Sequence, residues 1–385
     1  MKHFKFLSVL LLITIVVVSC KKKDFPDEQY IEFAKHIEES IAAGNADLLN
    51  AAFDYNSFEK IVFDGLKLTE DQKIDADKYI REYIRPGSIK VDAVTYGADF
   101  HFTKFYRDSS GNARIIFRLY NNGGISIEDW EMKVIDKEIK IVDAFAVASG
   151  IKWSEDCRQQ ICNHLNIINE EVMNLNRLIQ VNIAIGNEDF AAADSILFYT
   201  LPQTKDLMYA NVLNLNLSSI TDDYENVKTT ADQFVKKFPD EDRIATFYLM
   251  QSAIGNGLVE EVSAQIDKMV NMFGNDPIYY VYLSWVFQNA DAYDLALEAM
   301  DSAITYLPSL FDLYIEKMDI FYLQEQYSQI AEELNTIDEL FLPGKEDDDY
   351  FSRRYPKARN NTAFKQWIDK RNHLNYDSLN KAMGF

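Results

Sequence analysis

An aromatic residue or leucine follows a polar turn at Phe190, Tyr224, Leu258, Tyr293 and Tyr327, at intervals of 34, 34, 35 and 34 residues. A fixed period of this length marks one helical hairpin repeated along the chain. A single hairpin cannot bury its apolar face, so stacked copies must share a continuous core. The exits recur too: Pro239 and Pro308 lie 15 residues after Tyr224 and Tyr293, and Pro343 lies 16 after Tyr327. The copy that starts at Pro277 is the clearest. Its Ser284, Ala296 and Ala303 are small enough to let paired helices approach closely. The copy around Tyr224 keeps Val227, Ala231 and Phe234, whereas the copy around Tyr327 carries the larger Met318, Ile330 and Ile337. Ahead of them, Ile161, Leu165, Ile168, Val172, Leu175, Ile179 and Asn182 are spaced alternately by four and three. That spacing predicts one long amphipathic helix over 154–186.

The period, the small positions and the exit prolines resemble tetratricopeptide (TPR) repeats. The resemblance implies an all-α solenoid over 151–349 whose concave groove holds an extended peptide or a helix of a partner protein. Carried onto this chain, the groove-facing positions are Ile278, Val281, Trp285, Gln288 and Asn289 in one repeat. In the next they are Asp312, Ile315, Asp319 and Tyr322. An exposed Trp285 would make a good interface anchor, and the alternative for it is a core position between helices.

Charge divides the chain. The formal total is −22, with 61 Asp and Glu against 39 Lys and Arg. Residues 151–349 hold 35 acids and 11 bases, while residues 350–385 carry a net +6. A nucleic-acid binder needs a basic footprint, so that class is excluded. The basic end, with Phe364, Trp367, Ile368, Leu374 and Leu379 at helical spacing, predicts a terminal helix over the last apolar face of the solenoid. A docking tail for an acidic partner is the other reading. If the tail does not neutralise the solenoid, the solenoid's partner should be basic.

Between the amino terminus and the repeats the pattern is different. Apolar residues at helical spacing predict helices over 27–43, 47–53 and 70–84. Segments rich in β-branched and aromatic residues predict strands over 89–96, 99–107, 113–121, 125–135 and 138–148. Turn signals at 109–112, 121–124 and 136–137 link them as hairpins, so the sheet is antiparallel. Helices first and a meander after them resemble the NTF2-like (cystatin-like) fold, an α+β unit over 27–150. That resemblance implies a cone with a mouth able to hold a small ligand, used by some members for isomerase or dehydratase chemistry. The candidate pocket residues are Asp99, His101, Tyr106, Arg118 and Asp129, with Tyr96 and Tyr120 near them.

The first twenty residues set the address. Lys2 and Lys5 precede an apolar run at 7–18 that is too short to span a bilayer core, which takes about 20 residues, and it reads as a signal-peptide core. The run ends in Val17-Val18-Ser19-Cys20, which resembles a bacterial lipobox. That resemblance implies a signal peptide over 1–19, acylation of Cys20 and a tether over 20–26. Lys21 follows the cysteine, where Asp commonly marks inner-membrane retention, so the outer membrane is the expected address, in either leaflet. Cys157 and Cys162 stand five apart, about 140° around a helix, and read as buried thiols, with a disulfide as the alternative. No metal-ligand spacing, phosphate loop or nucleophile motif is present, so no metal and no cofactor are expected. The expectation is a lipid-anchored, non-enzymatic scaffold for an unidentified protein or peptide, a basic one if the tail leaves the solenoid's charge open. The alternative is a small-molecule binder, or an isomerase- or hydratase-like enzyme, using the α+β cavity.

Overall fold

The computed structural model describes residues 24–83, 99–121, 124–167, 170–341 and 345–372. The expected strand over 89–96, the lipobox, Tyr96, Pro343, Leu374 and Leu379 lie outside them. The described chain is an α+β unit followed by helices in pairs. Helices α1 (Asp27–Ala42), α2 (Asp47–Ala52), α3 (Tyr55–Phe63) and α4 (Glu70–Tyr83) precede a five-stranded antiparallel meander. Its strands are β1 (Asp99–Arg107), β2 (Ala113–Asn121), β3 (Gly124–Ile135), β4 (Glu138–Ala146) and the short β5 (Ile151–Lys152), in that order across the sheet. The β3–β4 link is a two-residue turn in which Asp136 and Lys137 both have positive φ, the geometry that matches strand twist. Bulges at Phe102/Lys104 and Glu131/Met132 bend the sheet. Sequence periodicity does not reveal α3. It is set by a cap, in which the Asp54 carboxylate accepts from the Ser57 amide at 3.0 Å.

Alternation gives the sheet two apolar faces. Phe100, Ile115, Phe117, Trp130, Met132 and Ala144 face one way and pack on α1–α4 and on α5 (Trp153–His164). Ile116, Tyr120, Ile127, Phe145 and Val147 face the other way, into a core shared with the later helices. The sheet is therefore the middle layer of three.

The long helix expected over 154–186 is two helices, α5 and α6 (Glu170–Gly186). The amphipathic spacing continues across the break, so periodicity alone cannot show it. Asn166 adopts φ 52°, and the Ile167 amide reaches back to the Cys162 carbonyl at 2.8 Å. Together these make a left-handed helix stop. Both Cys157 and Cys162 are buried free thiols.

Five hairpins follow: α6 with α7 (Phe190–Thr204), α8 (Met208–Thr221) with α9 (Tyr224–Lys237), α10 (Asp242–Gly255) with α11 (Val259–Phe273), α12 (Tyr279–Asn289) with α13 (Tyr293–Tyr306), and α14 (Phe311–Leu323) with α15 (Tyr327–Leu340). The recurrence is visible in the backbone. Glu188, Gly257, Asp291 and Glu325 take positive φ at the hairpin turns. The residue after each donates to the inner helix five residues back, at 2.8–2.9 Å. Ser284 and Ala296 are fully buried, and the Ser284 hydroxyl donates to the Ala296 carbonyl at 2.9 Å. A bulkier pair would hold α12 and α13 apart.

The basic end forms α16 (Lys345–Arg354) and α17 (Thr362–Asn372). Phe351, Tyr355, Phe364 and Trp367 are buried on Met318, Ile330, Leu334 and Ile337. Arg354 pairs with Asp319, Lys357 with Glu325, and Arg371 with Asp338 and Asp348. The described part of the tail thus covers the last repeat and neutralises some of its acids. Among the described residues no helix is long and apolar enough to cross a membrane.

Candidate functional site

The second face of the sheet lies on the inner helices of the repeats, α8, α10, α12 and α14, and two buried ion clusters join the layers. In the first, Arg118 of β2 donates to Asp276, just ahead of α12, at 2.9 Å and also pairs with Asp99. Arg118 is 1% exposed and Asp276 4%. In the second, Asp129 of β3 accepts from Arg114 at 3.0 Å, from Tyr106 at 2.6 Å and from Arg243 of α10. Burial alone would raise the Asp129 carboxyl, but the two guanidinium groups outweigh it and hold it below the ordinary carboxylate value. Burial beside that carboxylate pushes the Tyr106 hydroxyl up to about 12.

Two further contacts complete the junction. Lys104 donates to the Asn271 carbonyl at 2.6 Å. Gly274 sits with φ 99°, and a Cβ there would lie 2.5 Å from the Thr103 carbonyl oxygen. Only glycine allows that approach.

The candidate pocket residues therefore do not converge on one cavity. Arg118 and Asp99 belong to one cluster, Tyr106 and Asp129 to the other, and both clusters face the repeats. His101, on β1, lies 2.5 Å from Glu38 of α1, and that hydrogen bond raises its imidazole. The opposite face, where the α+β resemblance implies a cavity, is filled by aromatic rings. Phe100, Phe117 and Trp130 have centroids 4.5–5.7 Å apart.

One polar group lies in that aromatic layer. Burial pushes the Glu128 carboxyl up to about 7, against hydrogen bonds from Trp153 and Ser126. Its Oε2 and the Trp130 indole N–H are sealed from solvent without a hydrogen-bond partner among the described residues. Folding thus favours the protonated form, so this group's stabilisation is complete below about pH 4.5 and is lost as pH rises through about 7. Glu128→Gln should raise the melting temperature at pH 8, by an amount worth about 1–3 kcal/mol, and leave it unchanged at pH 4. Thermal melts across that range check both arms.

The groove positions divide as well. Ile278 and Val281 are 1% and 0% exposed and lie in the core shared with the sheet, so they offer no surface to a partner. Trp285 is half-buried, and its indole N–H donates to Glu316 at 2.6 Å. The other Glu316 oxygen accepts from Tyr120 of β2, also at 2.6 Å. Asn289 donates to the Ile254 carbonyl at 2.8 Å, and Gln288 lies within 3.5 Å of Ser284. Asp319 is held by Arg354 and Tyr355, and Tyr322 packs on Tyr327 and Tyr355. Asp312 is half-exposed near Tyr120. The sheet and the tail thus occupy much of the inner face that the repeat pattern assigned to a partner.

What stays open is a cleft of about 470 Å³ at the end of the sheet, within the range of small-ligand clefts, roughly 300–1,000 Å³. The β2–β3 and β4 ends contribute Gly124, Ile125, Ala148 and Ser149. The inner helices contribute Asn182, Asn216, Gln251 and Trp285, with Phe247, Tyr248, Ile254 and Tyr282. Asn182, Asn216, Gln251 and Trp285 follow one another at 34, 35 and 34 residues. They are the same position of successive repeats. Trp285 was found from the sequence because its repeat is the best preserved. The three amides were missed, although the period itself, carried back into the weaker copies, reaches them.

Two further cavities lie elsewhere in the described structure. A cavity of about 10 Å³, roughly one water's room, lies between Arg118, Asp276, Tyr279 and Tyr282. A hollow of about 620 Å³ lies apart on the α+β unit, lined among others by Phe25, Phe33, His36 and Ile139. Among the described residues no group of three or more His, Cys, Asp or Glu converges to hold a metal ion. No family model matches the chain, and no curated protein matches it by sequence.

Proposed function

We propose that the protein is a non-enzymatic, lipid-anchored scaffold of the bacterial outer membrane, built on TPR-like repeats, that holds a protein or peptide partner in the open cleft. The observation that carries this reading is the recurrence of one inner-face position, Asn182, Asn216, Gln251 and Trp285, along the cleft wall. A row of equivalent side chains on a solenoid's inner face suits an elongated occupant. Packing on both faces of the sheet supports a rigid mounting for that cleft, and the lipobox-like end at Cys20 supports a membrane tether.

Crosslinking in intact membranes followed by pull-down tests the scaffold. It should recover a defined partner whose yield falls several-fold in Gln251→Ala and in Trp285→Ala at equal protein level. An unaltered crosslink profile in both variants would contradict the cleft assignment. Cys20→Ser should move the protein out of the membrane fraction, and retention there would contradict the anchor.

A further inference from the structure

In the three middle hairpins charge is sorted by helix, whereas the inner helix beyond them, α14, carries Asp312, Glu316, Lys317 and Asp319. Inner helices α8 and α12 contain no Asp, Glu, Lys or Arg. In α10 the only two, Asp242 and Arg243, open the helix, and Arg243 is committed to Asp129 and Glu241. Outer helices α9, α11 and α13 carry charge throughout. No ionised side chain lines the cleft among the described residues, in a region with a net charge of −24. A basic partner drawn by that acidity would meet the outer helices, and the cleft is chemically neutral. Its polar side chains include the amides of Asn182, Asn216 and Gln251, each able to donate and accept, beside the Ser149, Tyr248 and Tyr282 hydroxyls and the Trp285 indole.

Spacing narrows the occupant. Successive inner helices touch, and packed helices lie about 8–10 Å apart. The amide row therefore advances by about that step. An extended β-strand repeats its facing groups every two residues, about 6.6–6.8 Å, which falls out of step. A polyproline-II chain has three residues per turn at 3.1 Å each, a repeat of about 9 Å. Its main-chain carbonyls make no internal hydrogen bonds and are free to accept from a row of amides. The half-buried ring of Trp285 suits such a chain, which docks on aromatic-lined grooves, and Phe247 and Tyr248, each 3% exposed, are packed in the core behind it.

We infer that the cleft binds an uncharged peptide segment in the polyproline-II conformation, with Asn182, Asn216 and Gln251 contacting its main chain. This rests on the scaffold reading and names the chemistry of its ligand. The test is fluorescence anisotropy with the full chain in detergent micelles and three labelled probes. They are a neutral twelve-residue Ala-Pro-Pro repeat, the same repeat with every Ala replaced by Lys, and a neutral glucose hexasaccharide.

The neutral peptide should bind best, and Asn216→Ala and Gln251→Ala should each weaken it by about 3- to 10-fold. Gln251 is exposed, so Gln251→Ala should keep its fold, and an unchanged melt verifies that. Tighter binding of the lysine peptide, lost in the same variants, overturns the inference and leaves the scaffold reading standing. Binding of the hexasaccharide alone overturns the peptide class. Silence of all three probes to millimolar concentration also overturns the inference, while the crosslinking experiment decides the scaffold separately.

Discussion

Arg118→Ala should destabilise the protein by about 3–5 kcal/mol, the cost of leaving one partner of a buried ion pair alone. The abandoned group is Asp276, whose carboxylate is buried and otherwise accepts from the Ile278 amide at 2.9 Å. A fall in melting temperature of about 5–10 °C is expected, with the loss concentrated where the sheet meets α12. The compensated double variant, Arg118→Met with Asp276→Leu, should recover most of it, because apolar packing of similar volume often replaces a buried pair without cost. Thermal melts of the three proteins check this. Equal losses in the single and double variants would mean that side-chain volume matters there and charge does not.

Trp367→Ala should also lose about 3–5 kcal/mol, as large aromatic truncations in a core do. The indole is 2% exposed, touches Phe351 and Phe364, and donates to Asp338 at 2.9 Å. Arg371 lies over its ring at 5.1 Å and pairs with the same Asp338 at 2.5 Å. Losing the indole therefore loosens both α17 and its ion pairs, and α14 and α15 should exchange their amide hydrogens faster. Hydrogen exchange reads this directly. Unchanged protection of α15 would show that the last repeat is stable without its cover.

The parts of the fold that local pattern controls were legible in the sequence. Strand β2 follows from alternation between turn signals, and α13 follows from its apolar stripe. The helix pairs follow from recurring turns, because Glu188, Asp291 and Glu325 mark polar hairpins at repeat spacing. The break between α5 and α6 was hidden, because Ile161, Leu165 and Ile168 keep helical spacing across it while Asn166 turns left-handed. The site was less legible than the fold. Its decisive contacts join residues far apart in sequence: Arg118 with Asp276, Tyr120 with Glu316, and Asp129 with Arg243. Nothing in the alternation of β2 or β3 shows that their second face meets the repeats, since Arg118 and Asp129 read equally well as pocket or surface groups. A lone solenoid would expose the groove at Ile278 and Val281. In this chain the sheet already fills it.

The central claim is that the sheet lies on the inner face of the repeats and confines the open groove to its amide-lined end. The most direct measurement is a double-mutant cycle between Tyr120→Phe and Glu316→Gln, two residues 196 positions apart joined by a 2.6 Å hydrogen bond. A hydrogen bond to a part-buried carboxylate predicts a coupling of about 1.5–3 kcal/mol in stability. Additive losses, with no coupling beyond measurement error, would mean that the sheet and the fifth hairpin do not touch, and the account would fail.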